Sequence, residues 1–469
     1  MAVLVASGRV GSIGAGLGGT LCALVVALAA APLHFDPNDA TLAIAKGIWL
    51  AWLVGAVILG GLFFREIVSA GAAEAGAPSA HRQRRQLFTA CFFVGPFAEA
   101  ATGFGVGQVA IVSMIQNTGI SAIQLVLFAL FSQILVPWGA MANGTMVGAA
   151  LSGVSPGDLG VHSAILTAPL LVAWLVLYWR IVATADVPGS PAALASELAW
   201  VLVIAAALIV ANLAVGPEIA AMLALGPLIV FRFWQDERPD RARWLSMLRI
   251  GVPYGVVILG LALTRALPRF GDFLRDAAAL RPFDDSPGFA PLLHPGFWLA
   301  AVAAFTALVL RRTHALAPAA KRTWMLGRKA VMTIGLYLVM AQIMRTSGMA
   351  AELAKAMNTV LGPLAILATP LLGATFGFLT GSSNAANGLL MPSQAALAHE
   401  NQLSVVWVAA LQNTAAAALT MLSPVRVAMG CALAGSPGLE RSAYAHGWPL
   451  GAIAIVVLTI AAELLLILS

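Results

Sequence analysis

Thr380-Gly381-Ser382-Ser383-Asn384-Ala385-Ala386-Asn387-Gly388-Leu389-Leu390-Met391-Pro392-Ser393-Gln394 is polar and broken by glycine, yet apolar runs flank it on both sides. Gly381, Asn384, Asn387 and Gly388 are poor residues for a helix interior, so the chain is expected to turn or unwind here. Irregular backbone at membrane depth is tolerated only where protein or a water-filled cavity satisfies its N–H and C=O groups. The stretch therefore reads as the tip of a hairpin that dips into a membrane and meets a solute. The plainer alternative is a polar loop between two spans that stays outside the bilayer.

The rest of the chain says which solvent surrounds that tip. Its 469 residues are 60% hydrophobic and 10% charged, with a mean hydropathy of +0.90. Soluble domains carry roughly 25% charged residues, so this chain could not cover a water-facing surface. The fold class is an all-α polytopic membrane protein with the lipid bilayer as its partner. The apolar runs are about 20 residues long and do not alternate, which excludes a transmembrane β-barrel. The formal charge of +6 gathers in a few loops and reports orientation rather than nucleic-acid binding. Cys22, Cys91 and Cys431 lie in apolar stretches without metal or disulfide spacing. No metal and no cofactor are expected.

Apolar windows predict about eleven spanning helices, near 17–33, 47–64, 122–141, 163–180, 197–214, 219–233, 250–267, 296–310, 330–347, 404–423 and 446–468. The first, preceded by Arg9, also has the form of a signal peptide ending in Ala29-Ala30-Ala31; a retained span fits better with the spans that follow. Loops 65–86, 232–249 and 311–329 are basic and belong on the cytoplasmic side. The near-neutral loop 268–295 belongs outside, and 350–360 reads as a short amphipathic helix with Glu352 and Lys355. Two apolar stretches, 87–117 and 361–398, are interrupted by Ala101-Thr102-Gly103-Phe104-Gly105 and by the stretch quoted above. They read as hairpin one and hairpin two.

The two stretches resemble each other. Thr102-Gly103 precedes Gln116 by the spacing at which Thr380-Gly381 precedes Gln394. Each hairpin is followed by a span, then by Gly148-Ala-Ala-Leu-Ser-Gly153 in one half and Gly430-Cys-Ala-Leu-Ala-Gly435 in the other. Ser155-Pro156-Gly157 and Ser436-Pro437-Gly438 come next. Four matches in one order over about 55 residues indicate an internal repeat. Residues 1–235 form the N-terminal repeat with hairpin one, and residues 236–469 the C-terminal repeat with hairpin two. An odd number of spans separates the hairpins, so hairpin two enters from the opposite side. The result is an inverted repeat with two re-entrant, broken segments meeting near the midplane, as in secondary transporters.

Helix N-termini present unpaired N–H groups and bind carboxylates without a buried cation. The tips offer such ends at Gly103–Gly105 and at Ser382–Asn387. Thr102, Thr380, Ser382, Ser383, Asn384 and Asn387 add hydroxyl and amide groups, and Gln412-Asn413-Thr414 places Asn413 in the following span. Gln116 and Gln394 either line the cavity or tie hairpin arms together. Glu99 is a carboxylate inside an apolar arm, where its charged form is costly. It suits a proton carrier; the alternative is a carboxylate bonded to hairpin backbone as a clamp. Arg426, after Ser423-Pro424, is a cation for an anionic substrate or for Glu99, or else a residue snorkelling to the interface.

At these residues the chain resembles the L-lactate permease family of bacterial carriers. Glu99-Ala-Ala-Thr-Gly-Phe-Gly105 is similar to that family's Glu-Gly-Ala-Ala-Gly-Phe-Gly signature. Thr380-Gly-Ser with Asn387 and Gln394, and Ser423-Pro424, continue the likeness over most of both repeats, about 120 residues. The resemblance implies proton symport of lactate, glycolate or a related 2-hydroxymonocarboxylate, an elevator-like mechanism, a multi-pass protein of the bacterial inner membrane, and a homodimer as one arrangement. The chain departs from the family at Ser383, where the family has an acid, and at Thr420, where it has a lysine. It departs again at Val425-Arg426 in place of Gln-Ser, and at Gln133-Ile134 in place of Asn-Thr. A lost acid and a lost base with a gained arginine describe one rearranged charge network. The sequence thus predicts a proton-coupled carrier of a small organic anion, with sodium coupling as the alternative. A polytopic membrane enzyme is the rival from another class, but no Gly-x-Ser-x-Gly, His-Glu-x-x-His or paired intramembrane aspartates occur.

Overall fold

The structure is a computed structural model, and it describes residues 12–29, 35–68, 80–103, 105–187, 189–284, 286–436 and 438–468. Arg9, Ala30, Ala31, positions 69–79 of the first basic loop, Phe104 and Pro437 lie outside the described residues. Among the described residues the chain forms helices and no strand, with one isolated bridge between Leu280 and Phe289.

Among the described residues, seven helices are long and apolar enough to cross a membrane: Pro37–Val68, Pro156–Ala183, Pro191–Val215, Pro217–Asp236, Met349–Thr380, Val405–Leu433 and Glu440–Leu468. Two bent pairs raise the number to nine. Ala122–Gln133 meets Val136–Ser152 at 57°, and Gly251–Thr264 meets Arg269–Arg275 at 98°. Helices also stand where the other expected spans lie, but they are short or charged. Pro295–Val309 has 15 residues, and Leu316–Thr346 carries Lys321, Arg322, Arg328 and Lys329 in its first half. The outward faces are apolar: Val25, Leu213, Phe305 and Leu468 are 63–83% exposed. Open surface of this kind suits hydrocarbon and not water. The fold is that of a polytopic helical membrane protein.

The long helices Pro37–Val68 and Leu316–Thr346 run antiparallel side by side. Gly47 meets Val339, Gly55 meets Val331, and Gly327 meets Leu59 and Leu62. At one end Arg322 Nε lies 2.9 Å from Glu66 Oε2, and Arg65 pairs with the same carboxylate. Arg85 reaches Asp236, which also holds Arg232. The first basic loop is thereby joined to both of the others, as loops on one membrane face should be.

Hairpin one descends as Ala80–Thr89, passes a π-helical turn at Ala90–Val94 and continues as Gly95–Thr102. Pro96 cannot donate to the preceding turn, which accounts for the break in the helical ladder. The chain reverses at Gly103 (φ 73°) and Gly105 (φ 83°) and returns as Val106–Ile115. Its arms are antiparallel: Gln83 Nε2 donates to Thr118 O at 2.6 Å, and Gln86 Nε2 donates to Met114 O. Hairpin two descends as Ala368–Thr380, turns at Gly381 (φ 63°) and Ser382, and returns as Ser383–Glu400. Thr369 Oγ1 donates to Gln394 Oε1 at 2.5 Å, tying one arm to the other. The irregular backbone is narrower than the sequence predicts, because Gly381 ends one helix and Ser382 caps the next. Asn384, Asn387 and Gly388 are helical, in the first turns of the returning arm.

Candidate functional site

Four breaks in helical structure meet at one place. Two are the hairpin tips. The third is the kink at the start of Gly139–Ser152, where Ala140, Met141 and Ala142 adopt left-handed backbone (φ 47°, 57° and 55°). Each such residue costs roughly 1–2 kcal/mol, and strain of this kind concentrates at functional sites. The fourth is the break at Ser423-Pro424, where Ser423 Oγ accepts the Arg426 N–H at 3.4 Å. Gly103 abuts Ala140, Gly381 abuts Ser423, Gly105 abuts Arg426 and Met429, and Gly144 abuts Ser383. Each tip therefore touches the broken helices of both halves.

At tip one, Glu99 is 3% exposed. Its carboxylate accepts the N–H of Gly105 at 3.1 and 3.2 Å and of Gly107 at 3.1 Å. Its Oε1 lies 3.0 Å from Arg426 Nη2. Both alternatives for Glu99 keep their chemistry: the carboxylate clamps hairpin backbone and also faces a partly buried cation. The first turn of the returning arm, expected to offer donors to a substrate, already donates to Glu99. Arg426 pairs with Glu99 rather than snorkelling away. Gln108, fully buried, donates from Nε2 to Arg426 O at 3.1 Å, while its Oε1 has no protein partner.

At tip two, Asn387 is fully buried. Its Nδ2 donates to Gly144 O at 2.9 Å and to Asn413 Oδ1 at 2.7 Å. Asn413 Nδ2 in turn donates to Thr145 Oγ1 at 2.9 Å and Ser163 Oγ at 3.0 Å. Ser383 and Asn384 are buried beside them. Asn384 Oδ1, Asn387 Oδ1, Thr414 Oγ1 and both amide ends of Gln412 are buried with no protein hydrogen bond. Orphan polar groups are rare in native interiors; those of Asn384 and Asn387 stand in the first turns after tip two and fit contact with a polar solute, whereas Gln412 Oε1 lies toward Gly373 on the descending arm.

The remaining predicted residues divide. Thr102 Oγ1 donates to Ala98 O within its own arm. Thr380 Oγ1 donates to Phe376 O and Ser382 O, and Ser382 Oγ caps Ala385 N, so both close the turn. Gln394 ties the arms. Gln116 is exposed at the far end of its arm, about 16 Å of helix from the tip, and the structure does not bring it to the crossing. Gln108, Thr145 and Ser163 were missed. Gln108 stands alone in an apolar arm, the same signal that singles out Glu99. Thr145 and Ser163 give no such signal, since both types occur on any span.

Above the crossing, a cavity of about 610 Å³ runs from the loop 268–295 down to Met141 and Asn143. Val54, Glu218, Arg275 and His294 are among its walls. Met141 of the left-handed turn lines it, and the neighbouring Ala140 and Gly144 lie against Gly103 and Ser383.

Two hairpins crossing two broken helices in an apolar bundle define a polytopic membrane protein with a buried polar centre. Residues 287–468 match the family model described as L-lactate permease, so the C-terminal part of the chain is similar to that family. Curated L-lactate permeases of Salmonella typhi and Salmonella typhimurium are each 32% identical over 114 residues, which is 24% of this chain. The aligned stretch spans 20% of the length of each relative. The family match takes in hairpin two and Arg426; the Glu99 motif lies before it.

Proposed function

We propose that this chain is a secondary active transporter of a small organic anion, a short 2-hydroxymonocarboxylate such as lactate or glycolate, and not an enzyme. It moves its substrate across the bacterial inner membrane together with a proton. The hairpins are re-entrant, the repeats 1–235 and 236–469 are inverted, and about eleven helices span the bilayer. The observation that carries this reading is the convergence of both tips and both broken helices on one buried polar centre, with Glu99 and Arg426 paired inside it. Ser383, Asn384, Asn387 and Asn413 line the substrate's place at tip two. Gly103, Gly105 and Arg426 line it at tip one, and Glu99 carries the proton. The similarity of the C-terminal part to that family supports a lactate-like substrate. The cavity beneath the loop 268–295 serves as the access route from the outer side. In an elevator-like cycle the hairpins and the helices packed on them move against the pair Pro37–Val68 and Leu316–Thr346.

Sodium coupling is the second reading. The orphan amide oxygens of Asn384 and Asn387 at tip two favour it, because such oxygens coordinate hard cations. Uptake of labelled L-lactate into proteoliposomes under an imposed pH gradient, compared with an imposed sodium gradient, decides between them. Accumulation with the pH gradient alone is expected. Accumulation with neither gradient would remove the carrier reading.

A further inference from the structure

We propose that Arg426 is the receptor for the substrate's carboxylate, and that Glu99 occupies it in the substrate's stead until a proton releases it. This rests on the carrier reading above and adds how proton and anion are coupled. A guanidinium offers only donors and a positive charge, and the Arg426 side chain is 13% exposed. Losing its partner would leave a partly buried cation uncompensated, which is costly to the extent that it is shielded from water. A second carboxylate is the group that replaces the first. Glu99 can withdraw because it has other holds: its carboxyl still accepts from Gly105 and Gly107 once protonated. The step is a proton transfer alone. An O–H bond forms on the Glu99 carboxyl, the ion pair to Arg426 breaks, and the substrate's carboxylate takes the guanidinium. On the far side the proton leaves and the internal pair closes again.

Space and selectivity fit this exchange. A Cβ on Gly105 would lie 2.9 Å from Arg426 Nη1 and 2.5 Å from Met429 Cε, so any other residue would press on the guanidinium. Gln108, one turn further along the same arm, carries an amide oxygen that is buried and unpartnered. It supplies the group that receives a hydroxyl beside the carboxylate, which favours 2-hydroxy acids over plain short-chain acids. The other charged groups on helices packed against the Glu99 arm are held elsewhere. Arg65 and Glu66 pair with each other and with Arg322, and Arg232 pairs with Asp236. Lys46 lies about 22 Å of helix from Gly61, the residue that meets Thr102, and Glu218 begins its own helix.

The exchange has a consequence that no purely structural pair would produce. The empty site, with Glu99 ionised on Arg426, has no net charge. The loaded site, with protonated Glu99 and an anion on Arg426, has none either. Transport should therefore follow a pH gradient and ignore the membrane potential. In proteoliposomes of the full chain, L-lactate uptake under a fixed pH gradient is expected to be unchanged, within about twofold, when a valinomycin–potassium potential of either sign is imposed. Uptake that follows the potential overturns the proposal. L-lactate binding to the wild type is expected to tighten by up to about tenfold per unit of falling pH. In Glu99→Gln it should lose that dependence and keep lactate counterflow while losing pH-driven accumulation. Wild-type pH dependence in Glu99→Gln, or wild-type binding in Arg426→Gln, sinks the idea. Should either variant fail to fold, the potential test on the wild type still decides. If the wild type takes up no small carboxylate under any gradient, the carrier reading fails and not merely the exchange.

Discussion

Asn387 shows what a single side chain does at the crossing. It bonds the tip of hairpin two to Gly144 of the first broken helix and to Asn413 of the next helix, joining groups far apart in sequence. In Asn387→Ala the Gly144 carbonyl and the Asn413 amide oxygen lose their buried donor, at about 1–3 kcal/mol. The expected result is a lower melting temperature, with expression retained and uptake of L-lactate lost. Normal uptake in a folded Asn387→Ala protein would remove tip two from the site. That Asn387 and Glu99 need buried partners was legible, because a polar group in an apolar run needs a reason. Their partners were not legible, because Thr145, Ser163 and the Gly144 carbonyl become partners only through tertiary packing. Gln116 shows the converse. Its spacing from Gly103 matches that of Gln394 from Gly381, yet the arm of Gln116 ends at Ile115, whereas the arm of Gln394 continues to Glu400. Equal spacing from the tips became unequal burial in the fold: Gln116 is exposed and Gln394 is buried.

Among the elements, the hairpins are held by close approach along their arms and by charge at one base. Gly377, in the descending arm of hairpin two, faces the helix Val405–Thr420 so closely that a Cβ would lie 1.9 Å from Ala416 O. Backbone cannot yield as a side chain can, so Gly377→Ala should destabilise by at least about 1–3 kcal/mol. Thermal melting in detergent would show it, and an unchanged melting temperature would contradict the packing described. At the base of hairpin one, Arg84 donates from Nε and Nη2 to the two oxygens of Glu197 at 2.9 and 2.8 Å, and Trp179 Nε1 also donates to Glu197. Both members are almost wholly buried. Breaking such a pair costs about 3–5 kcal/mol, so Glu197→Gln should melt markedly earlier than the wild type. Glycine at the tips made the hairpins visible in the sequence. The Arg84–Glu197 staple was not visible, since Arg84 read only as one more cation of a basic loop.

At the scale of the whole molecule, the central issue is the sidedness of the two hairpins. Composition alone gave the helical membrane class. The number of spans was harder, because the chain bends at Leu135 and near Leu267 and its helices differ in length and charge, leaving seven to nine clear candidates. The base of hairpin one shares its end of the bundle with Arg85 and Asp236, joined through the basic loops to Glu66 and Arg322. The helix Leu316–Thr346 leaves that end, and Met349–Leu361 after it packs against Ser383–Glu400. Leu397 and Leu403, at the base of hairpin two, cluster with Ala354 and with Leu465 near the end of the last helix. An inverted arrangement accordingly predicts opposite faces for Asn117, beyond the returning arm of hairpin one, and Glu400, at the end of the returning arm of hairpin two; both are exposed. With Cys22, Cys91 and Cys431 replaced, Asn117→Cys and Glu400→Cys should each react with a membrane-impermeant maleimide from one side only of oriented vesicles, and from opposite sides. Labelling of both from the same face would leave the two tips without a shared midplane pocket, and alternating access through that pocket could not operate.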